Sequence, residues 1–476
     1  KNQIMEKGFQ ILGDTFRGIF SLLYEAIFPP RTKVYDARFT NPSYILKHQN
    51  KGWAIGTRAL PLDFQGFMVV AASGVGKTSL SVLPGLIRQA GNGSIVVLDP
   101  SGELYDKVSG WFQKHGVKIF VLNFSDPDGY FSDGWNPFPS NKSEVAHFCT
   151  LITDLALGEN TRDPFWSLQA ASLLAMLSYT LFAIPEEFRV ASSLNDLLAY
   201  LAAKPEMIDK WMSKYADESN WIEYLAFMRN SDNTRASIIS SARSVLTVFV
   251  HDHIRRITSR TSFDLKSIRE KQSIIFLQTN GAELQMYKLL ISLFFDQLIS
   301  MTLKEIPKKG SQPIHLMLEE GGIYRIPILP LAITQCRKAL VNTCLIVQSQ
   351  SQLYHLYSKE EATTLISNLN SKLFLSNADL QTARELSELT GTFTYRDEDN
   401  HLKNAPLLTT QEVKGMPIGS GLLLYGNLPP SYIENITPYY KDSKMNQITS
   451  LTPVPIDRKL PIGDAPRLPI EKLLNQ

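Results

Sequence analysis

Short apolar runs separated by helical periods make up most of the chain. Eight such runs predict buried strands, at residues 67–70, 94–98, 118–123, 273–278, 313–318, 343–347, 372–376 and 422–425. Unbroken apolar runs of this length, alternating with helices, are typical of parallel strands that are covered on both faces. The pattern therefore predicts an α/β fold with a central, mostly parallel sheet.

The pattern changes between residues 141 and 262, where strand-like runs disappear and long helical periods take over. This stretch predicts an all-helical insertion between two parts of a sheet domain. We divide the chain into an N-terminal, membrane-proximal segment, the first part of the sheet domain, the insertion, the second part of the sheet domain and a proline-rich tail. These segments are residues 1–50, 51–140, 141–262, 263–440 and 441–476.

Both ends of the chain differ from this body. Residues 1–30 carry apolar side chains near one helical face, which predicts an amphipathic helix that either packs on the body or lies at a membrane surface. Residues 452–476 hold five prolines among charges and predict an extended strap or a partner-binding segment. No uninterrupted run reaches the roughly 18 apolar residues that a membrane span needs.

Composition narrows the choice of partners. The 476 residues, 44% hydrophobic and 20% charged, fit about three domains with a sizeable core. Because the net charge is only +2, a nucleic-acid surface has to be a local patch. The basic stretch at residues 255–271 is either a solvated surface or such a contact. Cys149, Cys336 and Cys344 lack metal spacing and fit buried thiols in a reducing compartment.

The segment 67–88 carries the clearest chemical signal. Its loop, Ala71-Ala72-Ser73-Gly74-Val75-Gly76-Lys77-Thr78, follows the phosphate-binding pattern G-x-x-x-x-G-K-[ST], except that Ala71 stands at the first glycine. Gly74 and Gly76 let backbone N–H groups curl toward phosphate oxygens. The alternative is a glycine turn with a solvated lysine.

We assign nucleotide binding to this loop and its flank, with ATP and Mg²⁺ as the expected ligands. Lys77 is predicted to contact the β- and γ-phosphates, and Thr78 to place its hydroxyl on the metal. The nucleotide-binding residues are Ser73, Gly74, Val75, Gly76, Lys77, Thr78, Ser79 and, after the next strand, Asp99.

Acidic residues end two of the predicted strands. Asp99 follows the strand at 94–98, where it either belongs to the site or caps the next helix. Glu319 and Glu320 follow the strand at 313–318, and after a phosphate-binding loop this pair predicts a metal site and a catalytic base. We expect Glu319 to hold the Mg²⁺ shell and Glu320 to polarise the attacking water.

Gln348 and Arg337 complete the catalytic candidates. Gln348 ends the strand at 343–347, where an amide can sense the γ-phosphate. Arg337 lies eleven residues earlier. It is either a surface cap on a helix end or an arginine finger that reaches the nucleotide of a neighbouring subunit in a ring.

Eight motifs, in this order and spacing, make the chain resemble the VirD4/TraG/TraD family of type IV secretion coupling proteins over most of residues 33–430. The motifs are Ser73-Gly74-Val75-Gly76-Lys77-Thr78, Asp99-Pro100-Ser101-Gly102-Glu103-Leu104, Trp135-Asn136-Pro137-Phe138, Asp163-Pro164-Phe165-Trp166, Thr234-Arg235-Ala236-Ser237, Glu319-Glu320-Gly321-Gly322-Ile323-Tyr324-Arg325-Ile326-Pro327, Gln348-Ser349-Gln350-Ser351-Gln352-Leu353 and Leu407-Leu408-Thr409-Thr410-Gln411-Glu412-Val413.

The resemblance implies a RecA-like P-loop nucleotide-binding domain interrupted by an all-α domain, in a hexameric ring with nucleotide between subunits. It implies that Arg337 is the finger and Gln348 the sensor. Family members usually sit at the cytoplasmic face of the bacterial inner membrane and pass substrates to a secretion channel. The expected partners are therefore single- or double-stranded DNA with its relaxase, or secreted effector proteins, together with channel components.

Four features depart from the family pattern. Ala71 replaces a glycine, Ser101 replaces the usual lysine of the second motif, and Glu319 replaces an aspartate. Because Lys77 and Glu320 are present, we still expect ATP hydrolysis, at the same or a reduced rate. The usual transmembrane hairpin is not found in the sequence, so we expect a peripheral attachment or one through a part outside this chain.

Two functions of different classes follow. The first is an ATP-driven motor for DNA or protein transfer. The second is a docking platform whose shape depends on nucleotide binding, favoured by the motif departures and the near-neutral charge. A small-molecule kinase fits less well, because the sequence shows no obvious lid and the helical insertion is large for one.

Overall fold

A computed structural model of the chain describes residues 36–476 except 50, 64, 159–163, 305 and 400. The amphipathic helix expected at residues 1–30 lies outside the described residues. The strands are β1 Ala54–Ile55, β2 Arg58–Ala59, β3 Phe67–Val70, β4 Ser94–Leu98, β5 Lys118–Asn123, β6 Ser273–Gln278, β7 Ile314–Leu318, β8 Val341–Val347, β9 Ser371–Leu375, β10 Thr392–Arg396, β11 Leu402–Pro406, β12 Gly421–Tyr425 and β13 Ser431–Ile433. The α-helices are α1 Leu83–Gln89, α2 Glu103–Lys114, α3 Val145–Leu157, α4 Pro164–Thr180, α5 Ala191–Ala203, α6 Pro205–Tyr215, α7 Glu218–Met228, α8 Asp232–Val245, α9 Asp252–Thr258, α10 Leu284–Lys304, α11 Leu329–Gln335, α12 Gln350–Leu356, α13 Lys359–Asn368, α14 Leu380–Thr390, α15 Thr410–Lys414, α16 Ser443–Thr449 and α17 Ile470–Asn475.

Nine strands form one sheet in the order β13-β12-β9-β3-β8-β7-β4-β6-β5. The seven strands from β9 to β5 are parallel, and β12 and β13 add an antiparallel edge. All eight predicted strands are present in this sheet, which confirms the α/β fold class. The hairpin β10–β11 was not predicted, because its side chains are mostly exposed and carry no apolar run.

Burial on both faces explains the unbroken apolar runs. Along β3, Met68 and Val70 join the core on one face, while Phe67 and Val69 join the core on the other. Each face is covered by helices, so successive side chains that point in opposite directions are both removed from water.

Helices α3 to α9 lie between β5 and β6, where the sequence predicted the insertion. Their apolar core is continuous with one face of the sheet, since Val70, Phe148 and Trp211 belong to a single buried cluster. Helix α3 also contacts α10, which belongs to the second part of the sheet domain. The insertion is therefore seated on the sheet, while its exact boundaries stay a prediction.

The tail is a strap across both parts of the molecule. Near its start, the hydroxyl of Tyr105 on α2 donates to the carbonyl of Val454 at 2.8 Å. Further on, Arg255 on α9 donates to the carbonyl of Pro466 at 2.9 Å. The final helix, α17, packs on α6. The structure agrees with the prediction that the tail is an extended strap, whereas partner binding by the tail stays a prediction.

The basic stretch at 255–271 does not form one continuous surface. Arg255 is fully buried and forms a salt bridge with Asp196 at 2.6 Å. Arg256 donates to the carbonyl of Gly463 in the tail at 3.0 Å, and Arg269 donates to two backbone carbonyls at the entries of β7 and β8. Three of its arginines therefore serve packing.

Within the part of the chain that the structure describes, two helical segments, Pro164–Ala183 and Gly281–Lys304, are long and apolar enough to cross a membrane by length and composition. Both segments contain polar residues, yet their average hydropathy is high enough. In the most apolar 18-residue stretch of each, 50% and 67% of the residues, respectively, are buried inside the structure. Their buried residues form part of the core, as those of core helices with this composition do.

Candidate nucleotide site

The candidate site lies at the carboxyl edge of the sheet, where β3, β8 and β7 end side by side. Val70 pairs with Val347, and Leu345 pairs with Leu318. The residues that follow these strands therefore meet in one crevice, which is where open α/β sheets bind ligands. Of the nine residues predicted for nucleotide and metal binding, all except Asp99 and Glu319 belong to the loop after β3 or its flank.

Local backbone geometry supports the phosphate-binding loop. Gly74 and Gly76 have φ angles of 81° and 91°, which residues with a side chain rarely adopt. The hydroxyl of Ser79 donates to the carbonyl of Gly76 at 3.1 Å and closes the loop. A π-helical turn, Thr78–Val82, then leads into α1, and the first N–H groups of a helix have no partner within it and are suited to bind an anion.

The departure at Ala71 has a simple structural reason. Ala71 is buried, donates its N–H to the carbonyl of Val347 at 3.0 Å, and does not have a positive φ angle. Since its backbone conformation does not require glycine, a methyl group is tolerated there. This residue continues the strand pairing.

The catalytic candidates Lys77, Glu320 and Gln348 are in contact. The ammonium group of Lys77 forms a salt bridge with Glu320 Oε1, and Gln348 Nε2 donates to Glu320 Oε2 at 3.3 Å. Lys77 ends the loop after β3, Glu320 lies two residues beyond β7, and Gln348 directly follows β8. The structure thus places three of the four predicted catalytic residues around one carboxylate.

Glu320 has an unusual backbone conformation. Its φ angle is 55°, in the left-handed region that a glutamate seldom occupies. The next residue, Gly321, donates its N–H to the carbonyl of Ile346 on β8 at 2.9 Å, which fixes the turn after β7. Strain of this kind costs about 1–3 kcal/mol and is concentrated at functional positions.

The predicted metal ligands also lie together. The Thr78 hydroxyl is 3.3 Å from Glu319 Oε1. Burial is the main cause that raises the pKa of Glu319 to about 7, and the nearby carboxylates of Asp99 and Glu320 add to it, while Lys77 opposes the rise. A divalent cation would offset this desolvation. Hydroxyl and carboxylate oxygens are the donors that Mg²⁺ prefers, so the residues present fit the predicted metal.

Asp99 has a capping role in the structure. Its buried carboxylate accepts the backbone N–H groups of Leu104 at 3.1 Å and Tyr105 at 2.8 Å, in the first turn of α2. Burial raises its pKa to about 6 despite these hydrogen bonds. Asp99 therefore caps the helix, which is one of its two predicted roles. A contact between Asp99 and the nucleotide stays a prediction. Ser101, at the family's lysine position, accepts the N–H of Glu103 at 3.3 Å.

Sequence reasoning assigned no role to three supporting residues. Gln278 at the end of β6 hydrogen-bonds Asp99, the hydroxyl of Tyr324 donates to the carbonyl of Glu319 at 3.3 Å, and Gln352 accepts the N–H of Gln348 at 2.8 Å. Gln278 carried a usable signal, because a polar amide ends a predicted parallel strand there just as at Gln348.

Arg337 is the one catalytic candidate outside the site. It is exposed and precedes β8, at the amino edge of the sheet. Seven residues of β8 separate it from the carboxyl edge, a distance of about 20 Å at the usual rise of a strand. It does not reach the loop of its own chain, so a role as a finger requires a neighbouring subunit.

Comparison with known proteins adds a family to this geometry. The family model described as "Type IV secretory system Conjugative DNA transfer" matches residues 31–454. The chain is 23% identical to the protein VirD4 of Rhizobium rhizogenes over 445 residues, which is 84% of this chain and 63% of that protein. It is also 23% identical to the protein VirD4 of Agrobacterium fabrum, covering 80% of this chain and 59% of that protein. The chain spans about three fifths of the length of these relatives.

Solved structures share the fold. The plasmid coupling protein TrwB in complex with a non-hydrolysable ATP analogue, ADPNP, superposes with a TM-score of 0.65 and 19% identity, covering 85% of this chain and 94% of TrwB. TrwB in complex with ADP and Mg²⁺ gives 0.62 and 19%, with the same coverage of both chains. The similarity confirms the RecA-like P-loop fold.

Proposed function

The chain belongs to the type IV secretory system conjugative DNA transfer family, the type IV coupling proteins, and on that premise we propose that it is an ATPase that drives substrate transfer into a type IV secretion channel. The substrate is a DNA–relaxase complex or an effector protein. The observation that carries the proposal is the contact of Lys77, Glu320 and Gln348 at the end of the phosphate-binding loop.

In this mechanism the loop N–H groups and Lys77 bind the phosphates of ATP. Thr78 and Glu319 would hold Mg²⁺, which neutralises phosphate charge when bound. Once the γ-phosphate competes for Lys77, the Glu320 carboxylate is released to accept a proton from water. The water oxygen then bonds to the γ-phosphorus, and the bond to the bridging oxygen breaks with its electron pair going to ADP. Gln348, in contact with the same carboxylate, keeps it oriented.

A finger role for Arg337 requires a ring as the active form. Because this exposed side chain is remote from its own nucleotide site, it acts only when the amino edge of one subunit approaches the nucleotide of another. A homo-hexamer at the cytoplasmic face of the bacterial inner membrane, as the family implies, provides that arrangement.

A docking platform is the second candidate, and one observation favours it. The helical insertion carries an open groove of about 630 Å³, lined along α8 by Arg235, Ser240 and Arg243. None of the groove residues belongs to the nucleotide site. The insertion therefore offers a surface for DNA or protein that is separate from the nucleotide site.

ATP hydrolysis by the purified chain, with and without single-stranded DNA, tests the proposal. We expect turnover that DNA stimulates and that Lys77→Ala abolishes, while Lys441→Ala, which removes an exposed lysine outside the site, behaves as wild type. Bound nucleotide without turnover under any condition would favour the docking platform. So would substrate capture that Arg243→Glu abolishes and Lys77→Ala leaves intact.

A further inference from the structure

Two segments leave the nucleotide site side by side. One runs from Glu320, after β7, to Arg325. The other runs from Gln348, after β8, through α12 to Glu361 in the first turn of α13. At their starting points the two segments are joined, because Gln348 Nε2 donates to Glu320 Oε2 at 3.3 Å. A rearrangement around the Glu320 carboxylate therefore acts on both segments.

The same two segments meet again at their far ends. Arg325 Nη2 donates to Glu361 Oε1 at 3.4 Å, and the guanidinium lies over the Tyr357 ring at 5.9 Å. Glu361 is held in place because its other carboxylate oxygen accepts the N–H of Ser358 at 3.0 Å in a capping box. One side of the Arg325 guanidinium is thus anchored on α13 of the sheet domain.

The other side of the guanidinium crosses to the helical insertion. Arg325 Nη1 donates to Asp154 Oδ2 at 3.0 Å. Asp154 lies in the last turn of α3, where the negative end of the helix disfavours a carboxylate and a cation is stabilising. The forked shape of arginine allows one side chain to bind two acids at once. Arg325 therefore connects both segments from the site to the insertion.

The segment from Gly321 to Ile328, which contains Arg325, is fixed by hydrogen bonds and packing. Gly321 is bonded to β8, as described above. Ile326 donates its N–H to the Tyr357 hydroxyl at 3.0 Å, and Ile328 donates its N–H to Asp296 at 3.1 Å. Tyr324, between the acids and Arg325, is buried. These contacts hold the turns between Glu320 and Ile328 in place, so a displacement at Glu320 is passed to Arg325 through packed, hydrogen-bonded residues.

We propose that Arg325 is a positioning residue that couples the nucleotide state at Glu320 and Gln348 to the helical insertion. This inference rests on the proposed function and deepens it by naming the contact through which ATP acts on the substrate-binding part. The ion pair itself contributes little to the stability of the fold, because the side chains of Arg325 and Asp154 are 27% and 50% exposed and exposed ion pairs are weak.

A matched control exists at the same boundary. Lys304 on α10 forms a salt bridge with Glu144, just before α3, at 2.9 Å. This pair also joins the sheet domain to the insertion and is exposed, but Lys304 is not connected to the nucleotide site by a short segment. Lys304→Gln therefore removes an equivalent ion pair without interrupting the proposed coupling.

The first test reads the insertion directly and needs no turnover. Amide hydrogen exchange in α3 is measured in the full chain with ADP and with ADPNP, for wild type, Arg325→Gln, Asp154→Asn and Lys304→Gln. We expect wild type and Lys304→Gln to show a nucleotide-dependent difference in α3, and the other two variants to lose it. A difference that persists in Arg325→Gln, or that Lys304→Gln also loses, overturns the inference.

The second test is a double-mutant cycle on turnover. Arg325→Gln should retain basal turnover and ADPNP affinity within about twofold. The stimulation of its turnover by single-stranded DNA should fall at least about fivefold, which is the lower range of typical coupling. Adding Asp154→Asn should change nothing further, and Arg325→Lys should restore part of the stimulation. Additive losses would contradict the coupling. Absence of any turnover in wild type, with the exchange difference present, would overturn the proposed hydrolysis and leave the coupling standing.

Discussion

The two ends of strand β7 bury titratable groups with opposite consequences. Near its amino end lies His315, fully buried, whose pKa burial lowers to about 4. Just beyond its carboxyl end lies Glu319, whose pKa burial raises to about 7. In both cases desolvation penalises the charged form, so the chemistry of the two ends is not set by burial alone.

The two ends of β7 differ in the groups that surround each buried side chain. His315 Nε2 lies 3.1 Å from the carbonyl of Asn92, and Nδ1 lies 3.5 Å from the side-chain nitrogen of Asn342. The imidazole and Trp53 rings pack edge to face, with their centroids 5.9 Å apart. These contacts satisfy a neutral imidazole inside the core. Glu319 instead faces Thr78 and two further carboxylates, an arrangement that a cation would complete. The amino end is closed, whereas the carboxyl end is open to a ligand.

Arg337 tests this contrast between the two edges of the sheet, because it lies at the amino edge and is nevertheless predicted to be catalytic. In the assembled ring, Arg337→Ala should lower turnover by about 10³-fold or more, the usual contribution of an arginine finger. ADPNP affinity, measured by fluorescence titration, should stay unchanged. Lys338→Ala, its exposed neighbour, is the control. Loss of nucleotide binding in Arg337→Ala would contradict the assignment.

At the carboxyl end, Glu320→Gln should lower turnover by about 10²–10⁴-fold, because a catalytic base contributes on that scale. ATP should still bind, since Lys77 and the loop remain. Turnover and equilibrium binding are measured together, with Glu270→Gln, which alters an exposed glutamate at the amino edge, as the control. Turnover within about twofold of wild type would remove Glu320 from the mechanism.

Glu319 should destabilise the metal-free protein at neutral and alkaline pH. Since its pKa is raised on folding, its contribution to stability is complete below the unfolded pKa and is lost as pH rises through about 7. Glu319→Gln should therefore raise the free energy of unfolding at pH 8 by up to ~3 kcal/mol, and by less than ~1 kcal/mol at pH 5. Urea denaturation in EDTA checks this, and a variant less stable than wild type at pH 8 would refute it.

His315 should act in the opposite direction. Because its pKa is lowered on folding, its contribution is present above the unfolded value of about 6.5 and is lost as pH falls toward 4. Between pH 7 and pH 5 it should remove about 2 kcal/mol from the free energy of unfolding. In His315→Gln, urea denaturation at both pH values should lack this part of the pH dependence. An unchanged pH dependence would show that the imidazole is not held neutral.

The smallest effect is expected at Ala71. Restoring the family's glycine should destabilise the protein by about 0.5–1 kcal/mol, because the position needs no left-handed backbone and glycine costs more entropy. Turnover should be unaffected. A urea midpoint and a rate measured on Ala71→Gly check both points, and a clear gain in rate would show that the departure does limit the enzyme.

Much of the candidate site was predictable because its signals are local. The turn at Gly74 and Gly76, the lysine that follows, and the acids after an apolar strand each lie within a few residues of the element that positions them. The role of Asp99 was only half predictable, since the same carboxylate at the same place suits a helix cap or a ligand. The hairpin β10–β11 was missed, as its exposed residues carry no burial pattern.

By itself, the sequence predicted the eight strands with unbroken apolar runs, a helical insertion between two of them, and a candidate phosphate-binding loop, because burial on both faces and backbone conformation leave local patterns. Only the tertiary structure decided the strand order, which inserts β8 between β3 and β7 and brings Gln348 to Glu320. It alone also decided the contact of Arg325 with Asp154, 171 positions away. Such pairings depend on hydrogen bonds and charges between distant segments, and no local pattern encodes them.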